Sequence, residues 1–254
     1  MTGLLPRSQP MSPSHLVVTP RKVAFFLFGA TVGLVAAHVL ITMGSEATGH
    51  PLYRLPRFFN LGGEANLPTY FSAANLLLAA GLLALVARTA ETRWMRVAWW
   101  GLALGFAFMS LDEATLIHEG IVGSLLLSKI GRGTGAAFYR WYLVYVPLVV
   151  VLGALYVPFL LRLPRRLALW FVVSAVLFLG GALGVEMVES ALASANASRL
   201  RILANLAVEE GAEMAGVALF NVVLVGHLAR LGVRLGVDFE SARSPQSVEA
   251  HSNV

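Results

Sequence analysis

Eight acidic side chains crowd into three short stretches of an otherwise apolar chain. SLDEATLIHEG carries Asp112, Glu113 and Glu119, VEMVES carries Glu186 and Glu189, and VEEGAEM carries Glu209, Glu210 and Glu213. They make up more than half of the 14 Asp and Glu residues, and His118 stands among the first three. Carboxylates concentrated in this way can hold a cation, pass protons or pair with arginines. Helix bundles build two-metal sites from glutamates one turn apart on facing helices, and EMVE and EGAE are two Glu-x-x-Glu pairs of that kind. The candidate metal ligands are Glu113, Glu119, Glu186, Glu189, Glu210 and Glu213. Asp112 and His118 are the candidate catalytic residues, for proton transfer. Oxygen-rich ligation favours a divalent metal such as iron, manganese, calcium or zinc over copper.

The elements that must position these groups are legible in the composition. The 254 residues are 57% hydrophobic and 13% charged, with mean hydropathy +0.72, whereas a soluble domain is about a quarter charged. Six apolar runs, near 23–43, 71–88, 97–119, 142–162, 168–190 and 203–229, approach the ~20 residues that cross a bilayer. The predicted fold class is all-α, a polytopic membrane protein built as a six-transmembrane-helix bundle over 23–232. Polar tails at 1–22 and 233–254 are expected to be disordered. Arg21 and Lys22 precede the first run, which is longer than the ~7–15 residues of a signal-peptide core and reads as an uncleaved span.

There is no cysteine, which excludes disulfides, thiolate metal sites and cysteine nucleophiles. The net charge of +5 is scattered over short loops. It fits a lipid bilayer partner and not nucleic acid, because no basic run tracks a phosphate backbone. A membrane-protein partner or a second copy of the chain are the candidate protein partners. With the N-terminus inside, twelve of the 19 lysines and arginines fall on cytoplasmic segments and seven outside. That bias predicts a multipass protein of the cell inner membrane with both termini cytoplasmic. The acidic stretches then all lie toward the outer ends of the third, fifth and sixth spans.

Helical phase tests whether they converge. At about 100° per residue, Asp112 and Glu119 differ by roughly 20°, with Thr115 on the same stripe. Glu186 and Glu189 differ by about 60°, and Glu209, Glu210 and Glu213 fan over roughly 100°. His118 lies about 120° from Asp112 and is expected to face elsewhere. Ionised carboxylates at membrane depth cost a few kcal/mol each and usually face a cavity, the bundle interior or a partner charge. Two arrangements need no ligand: acids in the first turn of a helix complement its dipole, and Arg54, Arg57, Arg132, Arg140, Arg199 and Arg201 are available in the outer segments.

The first outer loop, RLPRFFNLGGEANLPTYFSAAN, is punctuated by Gly62, Gly63 and Pro68. It reads either as an interfacial loop with aromatics at headgroup level or as a lid carrying Glu64. Asn75 could hydrogen-bond across helices, and His38 reads as a packing histidine. The small residues of FLGGALG, 178–184, would let a neighbouring helix approach the Glu186–Glu189 face. No phosphate loop, Ser-His-Asp order or dinucleotide fingerprint is present, and neither lysine lies inside a span to carry a retinal.

NLGGEANLPTYFSAANLLLAAGLL, SLDEATLIHE and VEEGAEMAGVALF together resemble a family of bacterial multipass membrane proteins of unknown function, over most of residues 23–230. That resemblance implies a membrane fold and assigns no activity. Three functions fit the residues: a metal-dependent membrane enzyme acting on a lipid-like substrate, a non-catalytic subunit of a membrane complex, and a cation or proton transporter.

Overall fold

The computed structural model describes residues 15–50, 54–131, 133–135, 138, 141–233 and 235–238. Each long helix starts where the sequence supplies a cap. α1 (Pro20–Thr48) opens with Pro20 in its first turn and the Thr19 hydroxyl accepting from the Lys22 amide, and it stops at Gly49 with φ +67°. Proline suits the first helical turn and glycine the left-handed stop. A short α2 (Leu55–Phe59) leads into α3 (Leu67–Thr89), which is capped by the Asn66 side chain accepting from the Thr69 amide. α4 (Arg93–Thr115) is capped by Thr92, which accepts from the Met95 amide.

Beyond α4 come a π-helical turn, Ile117–Gly123, and a short α5 (Ser124–Ile130). α6 (Tyr142–Arg162) and α7 (Arg165–Leu179) follow. A second π-helical turn, Gly180–Val185, joins α7 to α8 (Glu186–Ser194), and α9 (Arg199–Arg230) closes the bundle.

Six helical segments are long and apolar enough to cross a membrane, with α7, its π turn and α8 forming one of them. Phe25 at 85% and Leu161 at 81% exposure show where lipid takes the place of a protein partner. α9 is the axis. It packs against α1, α3, α7 and α8, and half of its apolar window is buried, compared with 6% for α6. At the end of the bundle away from the acids, Trp99 meets Phe159 edge-on at 4.7 Å and Phe171 lies 4.6 Å from Phe220. Such pairs contribute about 0.5–1.5 kcal/mol each beyond their area. Leu83, Leu224 and Leu228 fill the space around them.

Lipid supplies no hydrophobic drive between helices, so close approach and interhelical hydrogen bonds carry the packing. Asn221 Nδ2 donates to Asn75 Oδ1 at 2.7 Å and to the Asn75 carbonyl at 2.9 Å, while Asn75 Nδ2 donates to the Met214 carbonyl. The cross-helix role expected of Asn75 is thus observed between α3 and α9.

The segments next to the bundle are not featureless. His15–Val17 pairs antiparallel with Gly236–Asp238, within the stretches expected to be disordered. An even number of spans returns both ends to one side, and this ladder joins them there.

Candidate functional site

The break after α4 builds the first wall of the site. Thr115 ends the helix, and Leu116 turns left-handed with φ +57°, a conformation that is costly for a leucine. Asp112 holds the turn from both sides of its carboxylate. Oδ1 accepts from the His118 amide at 2.8 Å, and Oδ2 lies 3.1 Å from His118 Nδ1. The phase expectation for His118 therefore fails. The chain is not one continuous helix from 112 to 118, and the break swings His118 onto Asp112. Thr115, expected on the same stripe, is exposed, and its hydroxyl donates to the Leu111 carbonyl. The Glu119 side chain lies outside the described residues.

Trp141 and Tyr145, one helical turn apart, face His118 with ring centroids at 4.8 and 6.0 Å. Trp141 stands at the start of a span, where an aromatic side chain commonly marks the membrane surface. It is buried instead, and its Nε1 donates to Glu186 Oε1 at 2.7 Å. This link joins the α6 wall to the α8 wall.

Glycines bring the remaining walls together. A Cβ on Gly181 would fall 2.7 Å from the Glu209 carbonyl oxygen and 2.9 Å from Glu213 Cγ, and one on Gly216 would fall 2.6 Å from the Phe178 amide nitrogen. The seam between the α7–α8 span and α9 closes because neither residue has a side chain. The small-residue stretch 178–184 thus acts as expected. The π turn around Gly181 then delivers Glu186 and Glu189 beside Glu209, Glu210 and Glu213.

These walls enclose a cavity of about 560 Å³. Eight acidic side chains line it: Glu64, Asp112, Glu113, Glu186, Glu189, Glu209, Glu210 and Glu213. Five of the six expected metal ligands are therefore brought to one cavity, together with Asp112 and His118. Asp112, Glu186 and Glu209 are buried, and Glu209 Oε2 has no hydrogen-bond partner. Among the described residues no lysine or arginine lines the cavity, and the Arg199–Glu46 pair, at 3.4 Å, is exposed and elsewhere. Among the described residues, too, no three histidine or acidic side chains gather closely enough to form a ready-made metal site.

The loop before α3 roofs the cavity with Leu61, Gly62, Gly63 and Glu64. His38 of α1 fixes this roof, its Nδ1 accepting from the Leu61 amide at 3.2 Å. Asn66 tightens it from within by donating to the Asn60 and Gly63 carbonyls, both at 2.7 Å. An adjoining hollow of about 10 Å³, lined by Ser72, Asn75, Glu113 and Glu213, has room for about one water.

Fold and site together define a six-span α-helical membrane protein with a carboxylate-lined cavity at one end of its bundle. The chain belongs to a family of unknown function: the model of that family, described as Domain of unknown function (DUF8692), matches residues 25–228. That stretch includes every residue lining the cavity. No curated protein and no solved structure matches the chain.

Proposed function

We propose that the cavity binds a divalent cation and that the protein is a metal-dependent membrane enzyme acting on a lipid-like substrate. The observation that carries this reading is Glu209. Its carboxylate is buried within the acidic cavity, and Oε2 has no partner, which is costly for a charged group unless a cation or proton compensates it. Among the described residues no three of the cavity's acidic side chains converge closely enough on their own, so a bound ion would have to draw them together. Oxygen ligands from Glu113, Glu186, Glu189, Glu210 and Glu213 suit manganese, iron, calcium or zinc. A metal there polarises a substrate oxygen or activates water. Asp112, hydrogen-bonded to His118, orients the imidazole for proton transfer.

The proposed setting is the cell inner membrane of a bacterium with both termini cytoplasmic, the cavity opening on the outer side. Transport has less support, because the aromatic core around Trp99, Phe159 and Phe220 fills the far end of the bundle. Elemental analysis of gently purified protein tests the proposal. A divalent metal is expected in the wild type and is lost in Glu189→Gln/Glu213→Gln, while stoichiometric absence from the wild type overturns the proposal.

A further inference from the structure

The cavity has two rims of opposite chemistry. Gly62 and Glu64 are exposed on the roof loop and open toward water. Phe108 of α4 and Leu127 of α5 also line the cavity, yet they are 46% and 44% exposed. Two large apolar side chains at a cavity mouth, on helices sheathed in lipid, mark an opening to the membrane and not to solvent.

α6 makes that opening possible. Trp141, Tyr145 and Val149, four residues apart, turn one face to the cavity, while Leu143 and Val150 lie on the opposite side and face outward. At its other end α6 is pinned to α4. Tyr156 Oη donates to the Ala98 carbonyl at 3.0 Å, Phe159 packs on Trp99, and the Arg162 guanidinium lies 4.4 Å over the Trp94 ring. The helix is thus pinned to α4 at one end and stands over the cavity at the other, where the Trp141–Glu186 hydrogen bond is its link to α8.

Charge restricts what can occupy the interior. Eight acids line it, and His118 is the basic side chain described among them. The acids outnumber the basic side chains described around the cavity eight to one. A phosphate or carboxylate head is repelled by such a site, whereas an ammonium head gains from the carboxylates and from the Trp141 and Tyr145 rings.

We propose that the substrate of this site is a long-chain amphiphile with a cationic head, an alkylamine in its simplest form. It reaches the cavity sideways from the membrane past Phe108 and Leu127, its chain remaining at that apolar rim. The proposal rests on the reading of the cavity as a site for lipid-like substrates, and its test is separate from metal content.

Two photoreactive probes with the same alkyl chain, one a primary amine and the other a phosphate monoester, are crosslinked to the protein in lipid nanodiscs. The amine is expected to label the peptides around Phe108, Leu127 and Tyr145, and the phosphate to label them at least about tenfold less, a difference of ~1.4 kcal/mol. Leu127→Lys places a like charge in the mouth and is expected to cut amine labelling about tenfold. Leu125→Lys, an exposed position on the same helix that does not line the cavity, leaves labelling unchanged and reports that the fold is intact. Equal labelling by both probes, or equal effects of the two lysine variants, overturns the proposal. Metal content measured on the same samples shows separately whether the cation-binding reading stands.

Discussion

Asp112 does two jobs with one carboxylate: it caps the amide of His118 across the helix break and orients the His118 ring. Charge-assisted bonds of this kind contribute about 1.5–3 kcal/mol. Asp112→Ala is expected to lower the thermal unfolding midpoint in detergent by several degrees, with Asp112→Asn falling less because its amide oxygen still accepts. An unchanged midpoint in the alanine variant would mean that the left-handed turn at Leu116 is held by something else. Glu209 carries the opposite trade. Its buried, unpartnered oxygen sits among other carboxylates, so Glu209→Gln relieves repulsion while removing a cation partner. The variant is expected to melt higher than the wild type in chelator and to gain less from added manganese. A lower midpoint in chelator contradicts this account of Glu209.

The seam between the α7–α8 span and α9 depends on two hydrogen atoms where side chains would otherwise be. Gly181→Ala forces a methyl against the Glu209 carbonyl, and overpacking of this kind costs about 1–3 kcal/mol. Gly184 lies in the same π turn with nothing within 4 Å of its would-be Cβ. Gly184→Ala is therefore expected to be neutral or to stabilise by up to ~1 kcal/mol through the unfolded chain. Chemical denaturation of the two variants side by side checks the contrast, and equal effects would remove the close approach as its cause.

At the element scale the spans were legible, because lipid solvation writes itself as runs of apolar residues. The gathering of five ligand candidates was legible too, from their common depth. The break at Leu116 was not: no glycine or proline marks it, and the left-handed residue is a leucine held there by a side chain four positions back. Phase arithmetic carried through that break sent His118 the wrong way. The burial of Trp141 was not legible for a related reason. An aromatic at a span end looks interfacial, and its burial depends on Glu186, 45 residues away.

Across the whole molecule, six crossings put the α3–α4 loop and the α8–α9 loop on opposite sides. The chain has no cysteine of its own, so single cysteines at Glu91 and Ala197 report cleanly. In sealed, oriented vesicles an impermeant thiol reagent is expected to reach one and not the other. Labelling of both from the same side would contradict the six-span arrangement. The same molecule closes one end with an aromatic core and leaves acids around a cavity at the other, an asymmetry suited to a site and not to a through-path.

Manganese binding followed by the electron paramagnetic resonance signal of the free ion, in nanodiscs at neutral pH, tests the cavity most directly. The wild type is expected to take up about one or two ions per chain and Glu189→Gln/Glu213→Gln to take up none above empty nanodiscs. A free-ion signal identical for wild type, variant and empty nanodiscs would contradict a cation site in the carboxylate cavity.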